Sequence, residues 1–83
     1  MLDSKADAEV AVAEAKIAKL SPRETDVLKG LIEGRSNKII AYELDISPRT
    51  VEIYRANLME KLEVRSLSEA LRIAFAAGLF PKS

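Results

Sequence analysis

The stretch DISPRTVEIYRANLMEKL, Asp45–Leu62, decides how this chain folds. Ser47 followed by Pro48 marks a helix start: a serine hydroxyl accepts from an otherwise unpaired amide, and proline suits the first helical position, where its missing N–H costs nothing. With Val51 at the centre of the buried side, the 3.6-residue period brings Tyr54, Leu58 and Leu62 onto that side. The same period turns Glu52, Ile53, Ala56, Asn57 and Glu60 away. A helix with an adequate core stripe therefore also presents Ile53, a branched apolar side chain, on its wet face.

Immediately upstream, Ser36 opens a short helix over NKIIAYEL, Asn37–Leu44, of about two turns. Its buried positions are Ile40, Ala41 and Leu44, with Ile39 expected to be partly covered. Asp45 falls where the chain must turn sharply, and Asp enters the left-handed region more readily than most non-glycine residues. Ala41 is small where the two helices approach, and Ile40, Leu44, Ile46, Val51 and Tyr54 fix their crossing. Helix, tight turn and helix form a helix-turn-helix pattern, which offers the outer face of its second helix to a DNA major groove.

Outside this pair the punctuation repeats. In LSPRETDVLKGLIEG, Leu20–Gly34, Ser21 and Glu24 form a Ser-x-x-Glu capping box around Pro22. Val27, Leu28, Leu31 and Ile32 supply a core stripe, and Gly34 ends the helix. A second box, Ser66–Glu69, opens a last helix that Gly78 ends. Leu67, Ala70, Leu71 and Ala74 suffice to pack that helix down, yet Ile73 and Ala77 widen its apolar arc on one side and Phe75 and Leu79 on the other. An arc this wide exceeds one core contact and suits dimerisation, although a minimal domain can also bury both flanks.

The first twenty residues are rich in Ala, Lys and Glu without Gly or Pro, and they read as helix. Ala6, Val10, Ala13, Ile17 and Leu20 step by four, three, four and three along one seam. Two heptads, half alanine, favour an amphipathic linker helix over a dimerising coiled coil. The expected fold is all-α: a compact four-helix domain containing the helix-turn-helix, residues 20–83, preceded by a helical linker segment, residues 1–19.

Composition narrows the function classes. Eighty-three residues leave room for one small domain. Neither Cys nor His is present, so no disulfide, thiolate metal site, imidazole base or cysteine nucleophile can form, and no cofactor, metal or enzymatic activity is expected. No apolar run approaches the roughly 18 to 20 residues of a membrane span, and a cytoplasmic protein is expected. The formal charge is zero, so a polyanion would have to be gripped through placed contacts rather than bulk charge. Residues 47–83 carry a small basic excess and residues 1–46 a small acidic one.

Taken together, Leu20–Phe80 resembles the LuxR-type DNA-binding domain of the NarL/FixJ response regulators, and NKIIAYELDISPRTVEIYRANLMEKL is most similar to the FixJ type. That resemblance implies a regulator of transcription binding double-stranded DNA at a near-palindrome as a homodimer, with RNA polymerase among the partners it allows. It also implies control by an N-terminal receiver or sensor domain, which these residues do not contain. Carried over by position, base-reading sites fall on Glu52, Ile53 and Ala56, with Asn57 and Arg55 nearby. Four of these, all but Arg55, already lie on the exposed face by helical period. Ile53 and Ala56 suit a thymine methyl, Glu52 can accept from cytosine N4, and Asn57 can pair with adenine.

Phosphate contacts are expected at the helix ends: Asn37 and Lys38 at the first helix of the pair, Arg49 and Thr50 at the second, and Lys61 near its far end. Dimer contacts are expected from Ile73, Ala77, Phe75 and Leu79. Two departures from the family pattern matter. Tyr54 stands where many relatives carry histidine, and Glu52 where many carry lysine. Two other readings share parts of the pattern: a sigma-factor region-four module, and a helical interaction module that binds no DNA.

Overall fold

The computed structural model describes residues 4–81, with side chains from Asp7 onward. It contains α1 (Ser4–Ala18), α2 (Pro22–Ile32), α3 (Asn37–Leu44), α4 (Pro48–Leu62) and α5 (Leu67–Ala76). Residues 20–81 hold the four expected helices, with α1 before them. Among the described residues no helix is long and apolar enough to cross a membrane.

Each helix from α2 to α5 starts by the same chemistry. Ser21, Ser36, Ser47 and Ser66 are extended, and each hydroxyl accepts the amide three residues on, from Glu24, Ile39, Thr50 and Glu69. At Ser21 the box is complete, because the Glu24 carboxylate also accepts the Ser21 amide at 2.9 Å. At Ser66 it is not: the Ser66 hydroxyl donates to the Glu69 carboxylate at 3.3 Å, so the expected second box lacks its return bond to the backbone.

The helices also end alike. Gly34, Asp45, Glu63 and Gly78 take positive φ. In each case the next amide reaches back five residues to a carbonyl: Arg35 to Gly30, Ile46 to Ala41, Val64 to Met59 and Leu79 to Ala74. These bonds satisfy carbonyls that would otherwise lack partners. Asp45, at φ 57°, makes the expected turn between α3 and α4. Glu63 makes the corresponding one after α4, at a position where the sequence offers no glycine to signal it.

The core lies between α2, α4 and α5, with α3 closing one side. Leu28, Ile40, Leu58, Leu62, Val27 and Val51 are its largest fully buried side chains. Full burial of each such side chain is worth about 1.5 to 3 kcal/mol, so together they dominate the stabilisation of the domain. Ala70 and Ala74 on α5 are also fully buried, and their small size lets α5 lie close to the core. Leu67, Leu71 and Ile73 are only partly covered.

One sequence expectation needs adjustment. Ile39 is 49% exposed rather than partly covered, because α3 turns only its Ile40 and Ala41 side fully inward and leaves Ile39 and Tyr42 on the outer surface. The α1 seam is used within the chain: Ala13 and Leu20 are buried and Ile17 half-buried, whereas Val10 is exposed. The side chain of Ala6, the first expected seam position, lies outside the described residues. Lys16, half-buried, reaches the exposed Glu63 at 3.6 Å, an ion pair between α1 and the end of α4.

Gly30 sits within the last turn of α2 for a reason invisible in the sequence. A Cβ there would lie 2.7 Å from Ile40 Cγ1 and 2.9 Å from its Cδ1. Ile40 is itself 2% exposed and packed in the core, so it must shift to admit that Cβ. Gly30→Ala is therefore expected to destabilise the protein by about 1 to 3 kcal/mol, despite the better helix propensity of alanine. Chemical denaturation at neutral pH checks this.

Candidate nucleic-acid interface

The candidate interface lies on α4, whose two sides are sharply different. Val51, Leu58 and Leu62 are fully buried, and Tyr54 packs half-buried against the same core. On the other side Glu52, Ile53, Ala56, Asn57 and Glu60 are exposed. Ile53 keeps 54% of its surface in water; it takes no part in the core. Arg55 is half-buried at the boundary between the two sides.

The caps set where each end of this surface lies. At the start of α4 the Ser47 hydroxyl accepts the Thr50 amide at 3.1 Å and shares a hydrogen bond with the Thr50 hydroxyl at 2.8 Å. Pro48 has no N–H to offer, so the Arg49 amide is the free donor of this first turn. In α3, Ser36 takes the Ile39 amide, leaving the Asn37 and Lys38 amides at the positive end of the helix. Lys38 and Arg49 are exposed, while Thr50 and Asn37 are half-buried. The Asn37 side-chain oxygen is buried without a hydrogen-bond partner.

Charge is distributed unevenly among these groups. Among the described residues, no carboxylate lies within ion-pair distance of Lys38, Arg49 or Arg55, and none of their charge is neutralised internally. Arg35, by contrast, is shared between Glu33 at 2.7 Å and Glu43 at 3.4 Å. Lys61 has an internal partner as well: its ammonium lies 2.6 Å from Glu24 Oε1. The sequence groups Lys61 with the expected phosphate contacts and carries no sign of this pairing, which joins residues 37 positions apart.

Burial would raise the Glu24 pKa, but the Lys61 hydrogen bond, the Ser21 amide and the nearby positive charge outweigh it and hold the carboxyl below the ordinary glutamate range. Lys19, Asn57, Glu60 and Glu63 line the same shallow depression.

The expected dimer residues divide between two surroundings. Ile73 lines a mostly apolar groove between α1 and α5 together with Val12, Ala13, Lys16 and Ala76. Phe75 is exposed and stacks on Phe80, with ring centroids 5.8 Å apart and planes 9° from parallel. Ala77 and Leu79 are half-buried, and Leu79 and Phe80 line a separate groove of about 410 Å³ beside Gly30, Ile40 and Leu44. Phe80 and the 87%-exposed Tyr42 are large surface apolar groups to which the sequence reading assigns no role. The i, i+3 spacing of Ile39 and Tyr42, opposite Ile40 and Ala41, is the signal that marks the latter.

Known proteins match this chain in sequence and in fold. The sequence model of the bacterial regulatory proteins of the luxR family matches residues 18–74. The transcriptional regulatory protein FixJ of Bradyrhizobium diazoefficiens is 60% identical over 65 residues, 78% of this chain and 32% of that protein. Full-length FixJ from B. japonicum superposes with a TM-score of 0.84 at 53% identity, over 93% of this chain and 38% of the other. The C-terminal transcriptional activator domain of FixJ from Sinorhizobium gives a TM-score of 0.75 at 48% identity, over 84% of this chain and 89% of the other. The chain thus spans about a third of the length of the curated relatives it matches.

The Glu24 bonds make stability depend on acid. Because the folded-state pKa is lowered, their contribution is complete above the unfolded carboxylate pKa of about 4.3 and is lost as the pH falls through the folded value. Thermal melts of the wild type should therefore drop below that range. In E24Q the acid-side slope should be shallower, with neutral-pH stability lower by about 1 kcal/mol.

Proposed function

As the chain belongs to the luxR family of bacterial regulatory proteins, we propose that it is the DNA-binding output domain of a response regulator, placing α4 in the major groove of double-stranded DNA to regulate transcription. The observation that carries this reading is the division of α4: a fully buried side that anchors it, and an opposite side of Glu52, Ile53, Ala56 and Asn57 left to solvent. A helix-turn-helix uses such a surface to reach base edges. Ile53 and Ala56 supply apolar contact to thymine methyls, Asn57 pairs with adenine, and Glu52 accepts from cytosine while repelling phosphate. Arg55, at the rim, reaches a base edge or the adjoining backbone.

Affinity comes chiefly from the backbone contacts. Asn37 and Lys38 at α3, and Arg49 and Thr50 at α4, combine helix-end amides with side chains whose charge has no internal partner. In a protein with no net charge, these few cations carry most of the electrostatic attraction. A homodimer doubles them. Its contacts fall on α5, through Ile73 and Ala77 or through Phe75 and Leu79, and its two-fold axis matches a near-palindromic operator.

Residues 20–83 act as the binding domain and residues 1–19 as a linker segment leading from a receiver or sensor domain. The related proteins are a transcriptional regulatory protein and a transcriptional activator domain, which makes RNA polymerase the natural second partner. Such a regulator works in the cytoplasm.

Two measurements test the reading. Ile53→Asp is expected to abolish specific binding while changing the melting temperature little, since Ile53 is outside the core; a large loss of stability would contradict the assignment. Lys38→Ala should weaken binding to all DNA sequences alike and make the salt dependence shallower by about one unit of log–log slope. Both can be read by fluorescence anisotropy against salt. Wild-type affinity that does not fall as salt rises would sink the DNA reading itself.

A further inference from the structure

The contacts that seat α4 are of two kinds. Val51, Leu58 and Leu62 bury it in the core and set which side faces inward, and a polar tie adds a directional restraint at one point along the helix. The ion-paired hydrogen bond from Lys61 to Glu24 is directional and short, at 2.6 Å. Its acceptor cannot drift, because the Glu24 side chain is 5% exposed and the same Oε1 is bonded to the Ser21 amide at 2.9 Å. Lys61 follows Ile53 by eight residues, about 12 Å along the helix axis, so it anchors the far end of the surface that Ile53 begins.

We infer that Lys61 serves DNA recognition as a positioning residue: its bond to the buried Glu24 carboxylate fixes the rotation at which α4 offers Glu52, Ile53, Ala56 and Asn57. This inference rests on the reading that α4 enters the groove. It assigns Lys61 a role different from that of Lys38 and Arg49, whose cationic groups have no such internal partner. The consequence is that recognition depends on α2, because the start of α2 holds the acceptor.

The test compares wild type, K61M, K61R, E24Q and the K61M/E24Q double variant on an operator selected from a random DNA pool, with K38A as the phosphate-contact reference. A positioning role predicts that K61M lowers specific affinity about tenfold while leaving the salt slope unchanged. K61R should recover most of the loss. E24Q, which replaces the ion pair by a bond from the ammonium to a neutral amide oxygen, should lose part of it, and the double variant should lose no more than K61M alone. A K61M slope shallower by about one unit, as expected for K38A, with losses additive to those of E24Q, would overturn the inference.

A second readout needs no DNA. Carbon NMR of the Glu24 carboxyl should show its titration midpoint rising in K61M, and an unmoved midpoint overturns the tie by itself. If K61M melts below the assay temperature, E24Q carries the test: reduced affinity at unchanged slope supports the inference, and unchanged affinity overturns it. Salt-independent binding by the wild type would instead bring down the DNA reading, and with it the role of the tie, while the carboxyl titration would still report the tie as a structural fact.

Discussion

Glu24 Oε1 accepts two hydrogen bonds, one from the Ser21 amide at the start of α2 and one from the Lys61 ammonium in the last turn of α4. The first closes a capping box and satisfies an amide that α2 cannot bond internally. The second spans the domain. A nearly buried carboxylate would be costly without partners, so burial of this end of the core depends on both donors being in place. Around this anchor the apolar side chains of α2 and α4 supply most of the stabilisation, while the polar bonds supply direction.

The remaining architecture follows from using the surface of each helix once. α4 spends one side on the core, which leaves the other for a partner. α3 braces α4 through Ile40 and Ala41, and it can lie this close to α2 only because Gly30 has no side chain. α5 closes the core with Ala70 and Ala74, residues too small to hold it away. Four serine caps and four left-handed terminal residues then fix the length of each helix, so the loops have little freedom to alter how α3 and α4 cross. Such a framework suits a surface that must present a few side chains at fixed spacing.

Much of this was legible in the residues themselves. Helix starts depend on interactions within three residues, which is why Ser21, Ser36, Ser47 and Ser66 could be read directly. The exposed side of α4 was legible because Val51, Leu58 and Leu62 state its buried side at helical period. Asp45 was legible as a turn because the cap of the next helix, Ser47, follows two residues later. Glu63 was not, since its left-handed conformation is imposed by the end of α4 and has no local residue signal. The resemblance to LuxR-type domains, carried by the ordered motifs from Leu20 to Phe80, agrees with the family match.

The sequence by itself determined the helices, their order, their serine starts and the side of α4 that stays wet, because each of these depends on neighbours within one or two turns. Only the tertiary structure decided which cations are already paired, why Gly30 is glycine, and where the α1 seam lies. Those outcomes depend on groups far apart in the chain meeting in space: Glu24 with Lys61, Gly30 with Ile40, and α1 with α5. Charge and shape at such meetings are properties of pairs, and no periodicity within a single helix records them.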